Sequence, residues 1–269
     1  VFFGEPQKLA LEKLPQARDL IAKLSENLPG VLFQFRLSPE GRGCFPFASH
    51  GIREMFGVAP ERVLEDASPV FAVLHPEDRD GTVASLTESA RALAPWHHEF
   101  RVILPEQGVR WRLGDARPER LADGGTLWHG FITDITDRKR AEEALEESEA
   151  IFKLFMEHSP IYVFFKDHEI RSIRLSRNYE KMLGMPIDEI LGKTMDELFP
   201  SDLARKMIED DLEVLRGGKL IEVEEELAGR YYTTIKFPIL KQGKPPLLAG
   251  FTIDITEHKS LEEQLRQAQ

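Results

Sequence analysis

The sequence predicts an α+β chain made of two copies of one small domain, each built on a five-stranded antiparallel sheet. Two observations carry this reading. The string Gly130-Phe131-Ile132-Thr133-Asp134-Ile135-Thr136 returns 120 residues later as Gly250-Phe251-Thr252-Ile253-Asp254-Ile255-Thr256, changed at two positions. The segments ahead of each string also share one order: two β-prone runs, several short helices, then three β-prone runs. A period of this length is too long for a solenoid unit and fits one whole domain used twice.

The first domain opens after an amphipathic run in which Leu14, Ala17, Ile21, Leu24 and Leu28 alternate 3-4-3-4, predicting an N-terminal helix stopped by Pro29-Gly30. Val31 to Leu37 and Cys44 to Ser49 read as a hairpin around a Ser38-Pro39-Glu40-Gly41 turn. Ile52 to Gly57 and Pro60 to Glu65 read as short helices. A longer helix comes after His75-Pro76-Glu77-Asp78, where proline and the acids suit a first turn. Trp96 to Leu104, Val109 to Arg117 and Thr126 to Ile135 are the closing strands. Tight turns at Gln107-Gly108 and Asp123-Gly124-Gly125 favour antiparallel pairing.

The second domain repeats the order. Ile161 to Lys166 and Ile170 to Leu175 are strands across an Asp167-His168-Glu169 turn. Asn178 to Leu183, Pro186 to Leu191 and Ser201 to Arg216 are helical, and Gly217-Gly218 ends the last. Leu220 to Leu227, Arg230 to Leu240 and Leu247 to Ile255 are the final strands. Between the domains, Asp137 to His158 reads as a helix capped by Thr136. Its Ala141, Leu145, Ser148, Phe152 and Phe155 are spaced as a helical seam, and Leu261, Leu265 and Ala268 begin the same pattern after the second string. This spacing fits either a helix packed on its own domain or a coiled coil between two chains. The expected boundaries are a helix over 1–24, a domain over 25–136, a linker over 137–156, a domain over 157–256 and the start of a helix over 257–269.

Composition narrows the function. The chain has 269 residues and a net charge of −11, so nucleic acid is not an expected partner. No run approaches the roughly 20 apolar residues that span a bilayer. The single cysteine, Cys44, excludes an intrachain disulfide, a thiolate zinc site and c-type haem attachment. It fits a reducing cytoplasm, the expected location, while a membrane segment upstream in a longer parent stays open. No nucleophile elbow, P-loop or metal-binding motif is present, so no catalytic residue and no metal site are expected.

Several strings resemble the PAS family of sensory domains with its C-terminal PAC segment. In the first copy they are His75-Pro76-Glu77-Asp78, Glu99-Phe100-Arg101, Trp111 and the repeated string with Asp137-Arg138-Lys139. In the second they are Ser159-Pro160-Ile161, Asn178-Tyr179, Leu183-Gly184, Gly192-Lys193 and the repeated string with Glu257-His258-Lys259. The resemblance implies short helices over one sheet face, a cavity between them that binds a small molecule or cofactor, and homodimers formed through the helical linkers. It implies a sensory input module of a bacterial two-component histidine kinase, passing ligand or partner binding to a downstream output domain. The alternatives are a ligand-free dimerisation or protein-interaction scaffold and the regulatory half of a cyclic-dinucleotide enzyme.

Both domains offer candidate site residues. In the first domain Trp96, His98 and Trp111, with Trp128, are candidates to surround a non-covalent FAD, beside the plainer reading of an aromatic core. Haem is not expected, because the second domain's long helix has no His, and flavin-adduct chemistry lacks its cysteine string. The reading that neither domain holds a cofactor is preferred. In the second domain Arg177, Asn178, Tyr179, Tyr232 and Lys236, with Arg230, are candidates to line a pocket for an anionic metabolite. The alternative is a solvated strand face with Lys236 paired to Glu222 or Glu224. Glu222, Glu224, Glu225 and Glu226 are expected to be solvated. Asp134, Thr136, Asp254 and Thr256 are the expected signal junctions, tying strand to helix through backbone N–H groups.

Overall fold

The computed structural model describes residues 29–198, 201–227 and 229–267. The expected N-terminal helix and Ala268 lie outside them. The chain divides into two compact units between Ala144 and Leu145.

The first unit contains β1 (Val31–Leu37), β2 (Gly43–Ala48), α1 (Gly51–Phe56), a 3₁₀ turn (Pro60–Arg62), α2 (Ser68–Ala72), α3 (Pro76–Ala92), β3 (Trp96–Leu104), β4 (Gly108–Arg120) and β5 (Thr126–Asp134). The sheet order is β2-β1-β5-β4-β3, all antiparallel. Alternation puts Val31, Phe33 and Phe35 of β1 on the buried face, where they meet Ile52, Phe56, Val70 and Leu86 of the helices in one core. Strand β4 runs on through Pro118, three residues past its expected end. Proline is tolerated there because β3 stops pairing at Ala116, so no neighbour awaits the missing N–H on that side. Helix α2 was not expected, since a single turn carries too little periodicity to read.

Helix α4 (Thr136–His158) joins the units. The second unit contains β6 (Tyr162–Lys166), β7 (Ser172–Leu175), α5 (Tyr179–Leu183), α6 (Ile187–Ile190), α7 (Met195–Leu198), α8 (Asp202–Gly217), β8 (Ile221–Leu227), β9 (Arg230–Ile239), β10 (Leu247–Asp254) and α9 (Thr256–Gln267). The order β7-β6-β10-β9-β8 repeats the first sheet strand for strand. Strand β7 starts two residues later than expected because Ile170 has φ +60°, a conformation that turns the chain. The Asp167 carboxylate holds that turn by accepting the Glu169 and Arg171 N–H groups, both at 2.9 Å. Helix α8 ends at Gly218, left-handed at φ +65°.

The glycine that opens each repeated string has a steric cause. A Cβ on Gly130 would lie 2.4 Å from the Asp115 carbonyl oxygen, and one on Gly250 would lie 2.5 Å from that of Ile235. Each final strand packs too closely on its neighbour there for any side chain.

Candidate functional site

The two strand-to-helix junctions match bond for bond. The Asp134 carboxylate accepts the Thr136 N–H at 2.8 Å, and Asp254 accepts that of Thr256 at 3.0 Å. The Thr136 hydroxyl accepts the Trp111 N–H at 2.9 Å, and the Thr256 hydroxyl accepts the Tyr231 N–H at the same distance. Thr136 was expected to cap its helix; its hydroxyl instead reaches across to β4. Lys139 and Lys259 add a second tie, pairing with Glu99 at 2.7 Å and Glu224 at 2.8 Å on the edge strands. The Glu99 partners hold that carboxyl below the usual range, Lys139 and Arg138 outweighing its partial burial. At Asp134 burial pushes the carboxyl up, but the Thr136 bonds and the Arg112 guanidinium together bring it below the usual value. Asp254 is also lowered, chiefly by Thr256 and then by Arg230.

The junctions differ in one partner. Asp134 faces Arg112 at 2.7 Å, whose side chain is 1% exposed and also donates to the Met55 carbonyl at 3.2 Å. Asp254 faces Arg230 at 2.9 Å on the surface. The cross-strand register puts Tyr232 opposite Asp254, where Arg112 stands opposite Asp134.

The domain interiors differ more. In the first, Phe35, Trp96 and Trp128 fill the space between sheet and helices. The Trp96 indole N–H donates to Ser85 at 2.6 Å and that of Trp128 to Ser89 at 3.0 Å, locking both rings to α3. The void among these rings is about 30 Å³, room for roughly one water. The register places Lys166, Ile221 and Leu248 of the second sheet where Phe35, Trp96 and Trp128 stand in the first. Two indoles become aliphatic and one phenyl becomes an amine. A cavity of about 470 Å³ opens beside Lys166.

That cavity is mostly apolar, with Phe164, Met182, Ile190, Met195 and Met207 among its walls. Its polar end is a buried charge cluster. Asp211 of α8 is fully buried, with its Oδ2 2.5 Å from Lys166 Nζ. Lys236 Nζ lies 2.7 Å from Asp211 Oδ1, off the direction a hydrogen bond needs, and donates instead to the Met207 carbonyl at 3.2 Å. Glu225, opposite Tyr232 on β8, also lines the cavity, and its buried Oε1 has no hydrogen-bond partner among the described residues. Burial pushes the Glu225 carboxyl up, against the pull of Lys236. Burial likewise raises the Tyr179 phenol well above its ordinary value. The Thr234 and Thr252 hydroxyls, 2.9 Å apart, complete the polar wall.

The sequence candidates divide accordingly. Tyr179, Tyr232 and Lys236 line the cavity, and Lys236 is paired with Asp211 rather than with Glu222 or Glu224 on an open face. Arg177 is exposed and pairs with Glu157 of the preceding helix. Asn178 is bonded to Ser176 and to the Ser159 carbonyl, outside the cavity. Glu225 is half-buried, unlike its solvated neighbours Glu222, Glu224 and Glu226. In the first domain Trp96 is core. His98 stacks on Phe100 at 6.2 Å and is pushed down by burial. Trp111 lies on the opposite sheet face, between the Arg101 and Lys139 cations at 5.6 and 5.2 Å. These three do not converge on one space, and the void of about 30 Å³ beside Trp96 is too small for the FAD weighed as an alternative there, since a ligand pocket needs about 300 Å³ or more. The second cavity presents no His or Cys to a metal or haem iron. Among the described residues no cluster of His, Cys, Asp or Glu is arranged to hold a metal ion. No helix there is long and apolar enough to cross a membrane.

Lys166 and Asp211 were missed, though the sequence held a signal for the second. Asp211 interrupts the 3-4-3 stripe of Ala204, Met207 and Val214 on the buried face of α8.

Comparison with known proteins agrees with this architecture. Residues 45–132 and 156–260 each match the family described as PAS fold. The chain belongs to the PAS family. It carries two PAS domains in tandem, sensory modules of signal transduction. It is 23% identical over 210 residues to the sensor protein FixL of Bradyrhizobium diazoefficiens, covering 73% of this chain and 41% of that protein. It is 24% identical over 220 residues to the peroxide stress-activated histidine kinase mak1 of Schizosaccharomyces pombe, covering 74% of this chain and 13% of that one. Among solved structures it resembles the PAS domain of Bordetella pertussis BvgS at 24% identity and a TM-score of 0.36, covering 45% of this chain and 96% of that one. The chain spans less than half the length of the curated relatives it matches.

Proposed function

We propose that this chain is the sensory input part of a signalling protein, in which the second PAS domain takes a small molecule and the first is a packed relay. The cavity of about 470 Å³ with a buried charge cluster at its polar end carries this reading; the first domain has about 30 Å³ beside Trp96, and its cleft of about 460 Å³ lies at the surface, along the exposed Gly41, Val83 and Thr87. A ligand that binds one conformation of that core better shifts the equilibrium by the difference in affinity. Thr252 lines the cavity on β10, and Asp254 at the end of the same strand holds the start of α9. The output runs along that strand into the helix. A histidine kinase as the downstream partner is supported by the named function of the yeast relative.

Pairing of two copies through α4 has its own support. Phe152 packs on Phe165 at 5.8 Å and Met156 is buried, so part of the expected seam belongs to the second domain. Ile151, Leu154 and Phe155, at i, i+3 and i+4 on one face, remain exposed. Such a stripe suits a second copy of the helix.

Screening small molecules by thermal shift tests the sensory reading. Ligands are expected to raise the Tm of the wild type, and Ala204→Leu, which adds bulk to the cavity wall, is expected to abolish the shift. Hits that survive Ala204→Leu, or none across chemical classes, would contradict it.

A further inference from the structure

The charge cluster in the second cavity specifies a ligand class more narrowly than the cavity alone, and this inference rests on the sensory reading above. Each ammonium has three N–H donors. Lys166 uses one on Asp211, and Lys236 uses one on the Met207 carbonyl. The remaining donors have no hydrogen-bond acceptor among the described residues, although both side chains are at least nine-tenths buried. Asp210 is the next carboxylate, 3.9 Å from Lys236 and beyond hydrogen-bond reach. Two cations therefore share one fully buried anion. An arrangement kept only for stability would be poor, since buried ion pairs rarely repay their desolvation. A ligand carboxylate supplies the acceptors that the spare ammonium donors lack.

The rest of the cavity restricts the body that such a carboxylate can carry. Its far walls are Met182, Leu183, Ile190 and Met195, which favour an apolar body. Glu225 and Asp211 lie on the polar side, so a second ionised carboxylate would meet like charge and lose its hydration. Glu225 Oε1 offers one further polar contact.

We propose that the second PAS domain binds a monocarboxylic acid with an apolar body, its carboxylate seated on Lys166 and Lys236. Calorimetric titration of the whole chain tests this with five probes: octanoate and phenylacetate as acids, their two primary amides as neutral isosteres, and adipate as a diacid. The acids are expected to bind about tenfold or more tightly than the amides, the loss expected for one charge-assisted hydrogen bond. Adipate is expected to bind more weakly than octanoate. Lys166→Met and Lys236→Met should each remove the preference for acid over amide, with circular dichroism confirming the fold. If one variant does not fold, the other decides. Amides binding as well as acids, and losing that binding in Ala204→Leu, would overturn the carboxylate class while leaving the cavity as the sensor site. No binding by any probe would overturn the class, and equal binding by Ala204→Leu would overturn the sensory reading as well.

Discussion

Asp211 concentrates the physical argument at the scale of single residues. It stands on the buried face of an amphipathic helix, where an apolar side chain would ordinarily be, and two lysines from two strands converge on it. Removing it leaves two buried ammonium groups with only the more distant Asp210, 3.9 Å from Lys236, and Glu225 as counter-charges. Asp211→Ala is therefore expected to destabilise the second domain by about 3–5 kcal/mol, read by urea denaturation. A loss below about 1 kcal/mol would mean that water reaches the cluster and the charges are not buried as described. A bound monocarboxylate should recover part of the loss, since it returns one negative charge to the two lysines. The same reasoning explains why the cluster stayed hidden in the sequence. A lone Lys or Asp in a strand or helix reads as surface, because solvated faces are where such residues usually lie. Lys166 gives no sequence sign of burial beyond sharing a strand face with Phe164. Asp211 gave one, the broken apolar stripe. Arg177 and Asn178 misled for the opposite reason: they look like a polar binding set and instead secure the entry to α5 through Glu157 and Ser176.

At the scale of elements, the junction between the last strand and its helix is the device that both copies within this chain share. One carboxylate, one hydroxyl and one Glu–Lys tie hold each helix start to the two neighbouring strands. The Asp tie was readable in the repeated string, because a carboxylate at a strand end accepts nearby N–H groups, whereas the Thr hydroxyl, expected to serve the helix start, reaches the neighbouring strand. The Glu99–Lys139 and Glu224–Lys259 ties were not, since they depend on which strands become neighbours. Asp134→Ala and Asp254→Ala in the full-length protein are expected to alter output while the domains still fold, measured as the response of the output activity to ligand. Unchanged regulation in both variants would rule out the junction as the route. The Asp254 variant should have the larger effect on coupling, because its domain holds the cavity. The Asp134 variant should cost more stability, because it strips the partner from the buried Arg112.

For the whole molecule, duplication was legible and the division of labour only in part. The order of elements, the antiparallel joins and the tight turns could be read from period-two patterning and from Gly108 and Gly124, where φ is positive, but strand order and register could not. One-turn helices such as α2 and α7 carried too little pattern to be read. The difference between the two interiors needed the register: only pairing shows that Trp96 and Trp128 correspond to Ile221 and Leu248. Composition left two readings of the tryptophan-rich domain side by side, a flavin site and a plain aromatic core. Here the tryptophans fill the first core, while in the second Ile221 and Leu248 pack with Val214 and the cavity opens beside Lys166. The six methionines offer a direct test of that asymmetry. Met182, Met195 and Met207 line the second cavity, while Met55 is buried in the first core. With ¹³C-methyl-labelled methionine, octanoate titration is predicted to shift the methyl resonances of Met182, Met195 and Met207 in a saturable manner and to leave Met55 in place. Saturable movement of Met55 with the other three unmoved would contradict the account, because the ligand would then enter the core described here as closed.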